Sequence, residues 1–145
     1  MNYFKNKDKI TFIISFLIIY SLLLWLALKF LAHPLLELQV NLIKSLFGSF
    51  FNYSGFLFVN ECSGVVSIIT YLSIILALTT IRLKEYLSRK VFFYSISLLF
   101  INFLRLIIVL LSGKISLGFA RAIHILFWFV MGGIILLFVL RSRKS

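Results

Sequence analysis

The sequence predicts an all-α integral membrane protein with about four transmembrane helices. Hydrophobic residues make up 62% of the 145 residues and charged residues only 13%, whereas a soluble domain is about half apolar and about a quarter charged. A single proline leaves the apolar runs almost uninterrupted. This length fits one membrane-embedded domain, residues 1–145, with no room for a separate soluble module.

The net charge of +11 does not indicate a nucleic-acid partner. The basic residues gather in short segments between the apolar runs, which is the distribution of topology signals rather than of a surface that follows phosphates. The single cysteine excludes an internal disulfide and a CxxC redox pair. We expect neither a cofactor nor a metal site.

Four apolar runs have the length needed to cross a membrane, or nearly so: 10–31, 64–81, 91–111 and 117–140. A bilayer core requires about 20 helical residues, and backbone groups in lipid are satisfied only by helices or closed barrels. The first run is longer than the apolar part of a signal peptide, about 7–15 residues, and no A-x-A cleavage site follows it. It is therefore expected to remain as the first helix.

Basic residues predict the orientation of these helices. They concentrate in the N-terminus, the 82–90 loop and the C-terminal tail, at Lys5, Lys7, Lys9, Arg82, Lys84, Arg89, Lys90, Arg141, Arg143 and Lys144. The alternate segments contain fewer. The positive-inside rule predicts a multi-pass protein of the cell membrane with both termini in the cytoplasm and segment 33–63 outside.

The external segment 33–63 begins with Pro34, which is expected to stop the first helix. Apolar residues then recur at helical spacing on one face, at Leu36, Val40, Ile43, Phe47 and Phe50, and polar residues occupy the other, at Glu37, Asn41, Lys44 and Ser45. The pattern predicts an amphipathic interfacial helix on the outer membrane surface, or equally a helix packed on the bundle. Turn formers at 52–55 then predict a short extracytoplasmic hairpin or extended segment before Cys62.

Three polar side chains are expected at one depth of the outer leaflet. Arg105 lies about 9 Å below the outer end of its helix and His124 about 10 Å below the start of the last one, at 1.5 Å per residue. Cys62 precedes a run that is short for a bilayer of about 30 Å, so this end is expected below the surface. Topology alone thus predicts that a thiol, a guanidinium and an imidazole converge.

Each of these residues also has a structural interpretation. A lone cysteine commonly packs as a small hydrophobe, Arg105 can reach upward to the interface, and His124 can hydrogen-bond between helices. An ionisable group inside a membrane is nevertheless a functional candidate because it is costly to keep there. Trp128, in contrast, is interpreted as lipid-facing bulk.

Six further residues form a supporting set: Asn60, Glu61, Ser63, Gly64, Asn102 and Arg121. Glu61, Ser63 and Gly64 do not suit a lipid-facing surface, and Gly64 allows a substrate backbone to approach closely. Asn102 lies one turn before Arg105 and is expected to hydrogen-bond to it or to a neighbouring helix. Arg121 is expected to be a charge at the rim.

These residue types suit nucleophilic catalysis. A helix N-terminus and nearby cations favour the thiolate form of Cys62, His124 can take the thiol proton and return it to a leaving amine, and Arg105 can stabilise a thiolate or an oxyanion.

At these residues the chain resembles the exosortase/archaeosortase family of membrane-embedded cysteine transpeptidases. The matching pieces are CSG at 62–64 before a membrane helix, NFLR at 102–105 within the next one, and His124 early in the last. The resemblance implies that Cys62 is the nucleophile and that Arg105 and His124 complete the catalytic set. It also implies substrates that are surface proteins with a C-terminal sorting signal (a motif, a membrane helix and a basic tail), and transfer of the new C-terminus to a lipid or another amine. The chain lacks several helices that many relatives have.

Two other classes of function are considered. A small transporter needs an intramembrane acidic group or an equivalent coupling group, and the first helix contains no carboxylate. A non-catalytic membrane assembly factor needs none of the three residues, so substitution of Cys62 distinguishes it from a thiol enzyme.

Overall fold

The computed structural model describes residues 6–50, 59–81 and 89–142, and the elements within these ranges are all helical. The helices are α1 (Asn6–Phe30), α2 (Ala32–Phe47), α3 (Val65–Ile81), α4 (Arg89–Gly113) and α5 (Leu117–Ser142), with short 3₁₀ turns at Gly48–Phe50 and Asn60–Ser63. The prediction of a helical membrane protein is confirmed, because α1, α4 and α5 are long and apolar enough to cross a membrane. Helix α3 is shorter, with 17 residues, or about 25 Å at 1.5 Å per residue.

The junction between α1 and α2 is a single residue. The Leu31 N–H donates to Ala27 O at 2.9 Å, and the Leu35 N–H donates to Leu31 O at 3.1 Å. Pro34 is the third residue of α2, where a helix needs no backbone donor. The first helix ends at Phe30, four residues before Pro34, and the proline lies in the first turn of the helix that follows.

Helix α2 is amphipathic, as predicted, and it packs on the bundle. Leu36 and Ile43 of the predicted apolar face are buried, Val40 and Phe47 are half-buried, and only Phe50, beyond the helix end, is exposed. The predicted polar residues are all exposed, namely Glu37, Asn41, Lys44 and Ser45. Of the two predicted arrangements, the structure shows the helix packed on the bundle, against the 3₁₀ turn at 60–63 and the second half of α4.

The core of the bundle lies between α3, α4 and α5. Its buried members are Tyr71, Ile75, Leu98, Met131, Ile135 and Val139. Helices α4 and α5 are antiparallel neighbours joined by a turn at 114–116, and the Ser116 hydroxyl accepts the Phe119 N–H at 3.0 Å. That bond satisfies one of the free donors at the start of α5.

The starts of α1 and α4 and the ends of α3 and α5 lie at one end of the bundle. Tyr94, near the start of α4, stacks on Phe138, near the end of α5, with ring centroids 4.5 Å apart. Phe12 of α1 lines the same cavity as Leu78 near the end of α3. The opposite end holds the 114–116 turn, where Lys114 Nζ lies over the Phe50 ring. The predicted hairpin at 51–58 lies outside the described residues.

Candidate active site

The sequence NECSG at 60–64 forms a compact turn at the entrance to α3, here named the CSG turn. Residues Asn60–Ser63 make the 3₁₀ turn, in which the Cys62 N–H donates to Val59 O at 2.8 Å. The buried Ser63 hydroxyl accepts the Val65 N–H at 3.3 Å. Ser63 thus caps the first turn of α3, which supplies a structural reason for a serine beside the cysteine.

Gly64 must be glycine for two independent reasons. Its φ is +81°, a left-handed conformation that costs other residues roughly 1–2 kcal/mol. A Cβ atom at this position would lie 2.7 Å from Asn102 Cγ and 2.8 Å from Asn102 Nδ2. The close neighbour of Gly64 in this structure is therefore α4 itself, whereas the sequence pointed to a substrate backbone.

Two side-chain amides from different helices hold consecutive carbonyl groups of the CSG turn. Asn102 Nδ2 on α4 donates to Cys62 O at 2.8 Å, and Gln39 Nε2 on α2 donates to Ser63 O at 3.2 Å. Asn102 and Gln39 are both buried, at 0% and 5% exposure. Asn102 thus bonds to the backbone of Cys62 in the turn before α3, whereas Arg105 or a neighbouring helix was expected as its partner. Gln39 was not predicted.

The CSG turn lies level with the middle of α4. Asn102 is eleven residues before Gly113, or about 16 Å along the helix axis. Arg105 is about 12 Å from the same end of α4, and His124 about 10 Å from the start of α5. The start of α3 is therefore recessed well below the ends of its two neighbours.

Arg105 is the buried cation of this region. Its side chain is only 2% exposed, and Nε and Nη2 have no hydrogen-bond partner among the described residues. The guanidinium carbon lies 5.9 Å from the centre of the Trp128 ring. Arg105 follows Asn102, which bonds to Cys62 O, by three residues on α4, and Trp128 also bonds to His124. A buried, incompletely bonded guanidinium is costly, so a purely upward-reaching arginine does not describe this residue.

Cys62 is half-buried. It packs against a small apolar cluster of Ile43, Leu106 and Leu110, formed by α2 and α4. Cys62 therefore does pack partly as a small hydrophobe, as the structural interpretation expected. What distinguishes this thiol is the combination of an apolar contact, a fixed backbone and a neighbouring cation.

His124 is oriented by a residue one turn further along α5. Trp128 Nε1 donates to His124 Nε2 at 3.1 Å, so this imidazole nitrogen is the acceptor of the bond. No hydrogen bond joins His124 to Cys62 within the described ranges, and the ring of Trp128 contacts Arg105 as well.

Trp128 is thus more than lipid-facing bulk, although it is 45% exposed. It contacts Arg105 through its ring and His124 through its N–H. The available sequence signal was its spacing of four residues from His124, which places both side chains on one face of a helix.

The remaining candidates are less central. Arg121 is exposed, as expected for a charge at the rim. The side chains of Asn60 and Glu61 lie outside the described part of the structure. No group of three or more His, Cys, Asp or Glu side chains suited to a metal ion occurs in the described part of the chain.

Comparison of the chain with family models, with curated proteins and with solved structures finds no match. The assignment of a function therefore depends on the residues and their arrangement.

Proposed function

We propose that this protein is a membrane-embedded cysteine transpeptidase or peptidase of the exosortase/archaeosortase type, with Cys62 as nucleophile. The observation that carries the proposal is the placement of the only cysteine on a turn whose backbone is held by Asn102, one helical turn before the buried Arg105, two of whose nitrogen atoms have no hydrogen-bond partner among the described residues. A cation near a thiol favours the thiolate, which is the reactive form.

The chemistry is an acyl transfer in two steps. Cys62 Sγ attacks the scissile carbonyl carbon, an S–C bond forms, and the C–N bond breaks as the thiol proton passes through His124 to the leaving amine. An acceptor amine then attacks the thioester, and the sulfur leaves and regains a proton. The Arg105 donors stabilise the negative charge that develops on the carbonyl oxygen in both steps.

The unfilled hydrogen-bond capacity around the CSG turn suits a peptide group. Arg105 Nε and Nη2 are free donors, and Asn102 Oδ1 and Gln39 Oε1 are buried acceptors without a partner among the described residues. A peptide unit has one acceptor and one donor, whereas an anion such as phosphate needs donors alone. This mixture favours an amide substrate.

The proposed topology has four membrane spans, namely α1, α4, α5 and the shorter α3, and it places both termini in the cytoplasm. The basic residues at the start of α4 and at the end of α5 support it, because the stacked rings of Tyr94 and Phe138 bring these two helix ends together; the start of α1 also carries Lys7 and Lys9. The recessed start of α3 makes a short span sufficient: its outer end need not reach the membrane surface. In this orientation the CSG turn opens to the extracytoplasmic side.

The proposed partners are surface proteins whose C-terminal sorting signal consists of a motif, a membrane helix and a basic tail. Such a helix would present its preceding motif on the extracytoplasmic side, and the motif would enter the membrane to reach the recessed CSG turn. Membrane lipids surround the protein, and a lipid is a candidate acceptor for the new C-terminus.

Co-expression with a protein from the same proteome that ends in such a signal tests the proposal. Wild-type protein is expected to shorten the substrate, and Cys62→Ala to leave it full-length while the variant remains inserted and folded. Cys62→Ser is the matched control for a non-catalytic assembly role, since it retains the size and hydrogen bonding of the side chain. Normal processing by either variant would exclude Cys62 as the nucleophile.

A further inference from the structure

We infer that Gln39 is a positioning residue for Cys62, acting through the backbone of the CSG turn; this rests on the proposed role of Cys62 as nucleophile. Gln39 occupies the buried face of α2, whose other buried members are Ala32, Leu36 and Ile43. It is the one polar side chain in that buried stripe. A glutamine at such a position is costly unless its amide is used.

The amide of Gln39 is used for a contact between segments far apart in sequence. Its Nε2 donates to Ser63 O at 3.2 Å across 24 residues of chain. Asn102 makes the equivalent bond to the preceding carbonyl, Cys62 O, at 2.8 Å. The two successive peptide planes on either side of Ser63 are thereby fixed, one by α2 and one by α4.

The Cα atom of Cys62 lies between two peptide planes that are already held, one by the bond from the Cys62 N–H to Val59 O and one by Asn102. Gln39 holds the next plane, between Ser63 and Gly64. Neighbouring side chains do not replace it, because Gly64 has none and the Ser63 hydroxyl is engaged with the start of α3. Gln39 therefore limits the movement of the turn as a whole, and with it that of the sulfur, where a displacement of about 1 Å costs a reaction roughly 100-fold.

Helix α2 therefore has a mechanistic role. It follows α1 after a single residue and carries Gln39 to the turn, so the segment before the CSG turn takes part in forming the site. The other buried residues of α2 hold the helix against the bundle, and Gln39 connects the helix to the turn that carries the thiol.

The experiment compares two alkylating probes of similar size, iodoacetate and iodoacetamide, on the purified full-length protein in detergent. The chain has one cysteine, so alkylation reports Cys62 alone. Arg105 attracts the anionic probe, and the ratio of the iodoacetate rate to the iodoacetamide rate measures how closely the sulfur is held to that charge. The variant Arg105→Met gives the reference value of this ratio when the positive charge is absent.

Gln39→Met keeps the length of the side chain and removes the amide. We expect it to lower the ratio by about three- to tenfold, the size of effect expected from one charge over several ångströms in a partly screened site. Asn41→Met, which removes an exposed amide from the same helix, is the matched control and should leave the ratio unchanged. A role in anchoring α2 alone would lower stability without moving the ratio.

A second variant, Gln39→Asn, keeps the amide but shortens the reach to Ser63 O, and it should also lower the ratio. A wild-type ratio in either folded variant overturns the inference and leaves the proposed function standing. If the ratio falls but the wild-type protein processes none of its candidate substrates, Gln39 does position Cys62 and the proposed function is wrong.

Discussion

The two halves of the helical bundle differ in how fully their buried polar groups are hydrogen-bonded. Towards the start of α4, the Tyr71 hydroxyl and Ser142 Oγ lie 2.5 Å apart, and Ser142 Oγ also donates to Phe138 O at 2.6 Å. Around the CSG turn, Gln39, Asn102 and Arg105 each retain a buried polar atom without a partner among the described residues. Among the described residues, Ser73 Oγ is the one such atom of the other half.

This difference suggests that the paired groups serve stability and the unpaired groups serve function. Leaving a buried donor or acceptor unpaired costs about 1–3 kcal/mol, and more when the group is charged. Selection for stability alone would pair these groups or replace them with apolar ones. Their concentration around a single thiol is explained if a substrate supplies the missing partners, whereas the Tyr71 half is arranged for packing.

Arg105→Met is the substitution that should separate the two halves most strongly. Loss of the guanidinium removes a donor for the developing oxyanion, and processing should fall by roughly 100- to 1000-fold. The unfolding free energy should stay the same or rise by about 1–4 kcal/mol, because an apolar side chain replaces a buried charge. Processing assays and thermal unfolding in detergent measure the two effects. A marked loss of stability in this variant would show that Arg105 is a structural residue.

Gly64→Ala should have the next largest effect, because it damages the turn itself. Positive φ and the close approach to Asn102 both oppose a side chain, so stability should fall by about 1–3 kcal/mol and processing with it. Gly48→Ala is the matched control: Gly48 also has positive φ, at +52°, but nothing lies within 4 Å of its Cβ position. Thermal unfolding and processing of the pair isolate the contribution of the contact with Asn102. Equal losses in the two variants would contradict the importance of that contact.

Tyr71→Phe should have the smallest effect on processing. It removes the hydroxyl paired with Ser142, and the expected cost is about 1 kcal/mol of unfolding free energy with unchanged processing. Tyr94→Phe is its control, since the Tyr94 ring stacks in the same cluster and its hydroxyl has no hydrogen bond within the described residues. If Tyr71→Phe impairs processing as strongly as Arg105→Met, the division into a packing half and a functional half is wrong.

Much of the fold could be predicted from the sequence because the responsible signals are local. Apolar runs without proline indicate α1, α4 and α5, and the alternation of faces at helical spacing indicates α2. The length of α3 was also close to the prediction, 64–81 against Val65–Ile81. Its recessed start was less predictable, since that depends on the contact between Gly64 and Asn102 of another helix.

The site was predicted in part for the same reason. Depth along each helix brings Cys62, Arg105 and His124 to similar levels, but depth does not determine which faces meet. Gln39 was missed because a glutamine in an amphipathic helix is ordinarily assigned to its polar side. Only packing shows that it lies on the buried face. Trp128 was missed because apolar bulk is common in lipid, and its N–H bond to His124 becomes visible only with the rotamers in place.

The contact of Trp128 with both Arg105 and His124 also makes the protein its own optical reporter. The chain has two tryptophans, and the other, Trp25, is exposed on α1, so its emission has to be removed to isolate that of Trp128. Indole emission depends on the charges and polarity around the ring. In a Trp25→Phe background, the fluorescence of Trp128 should therefore respond when a peptide or an alkylating reagent reaches Cys62, and it can follow the occupancy of the site without any added label.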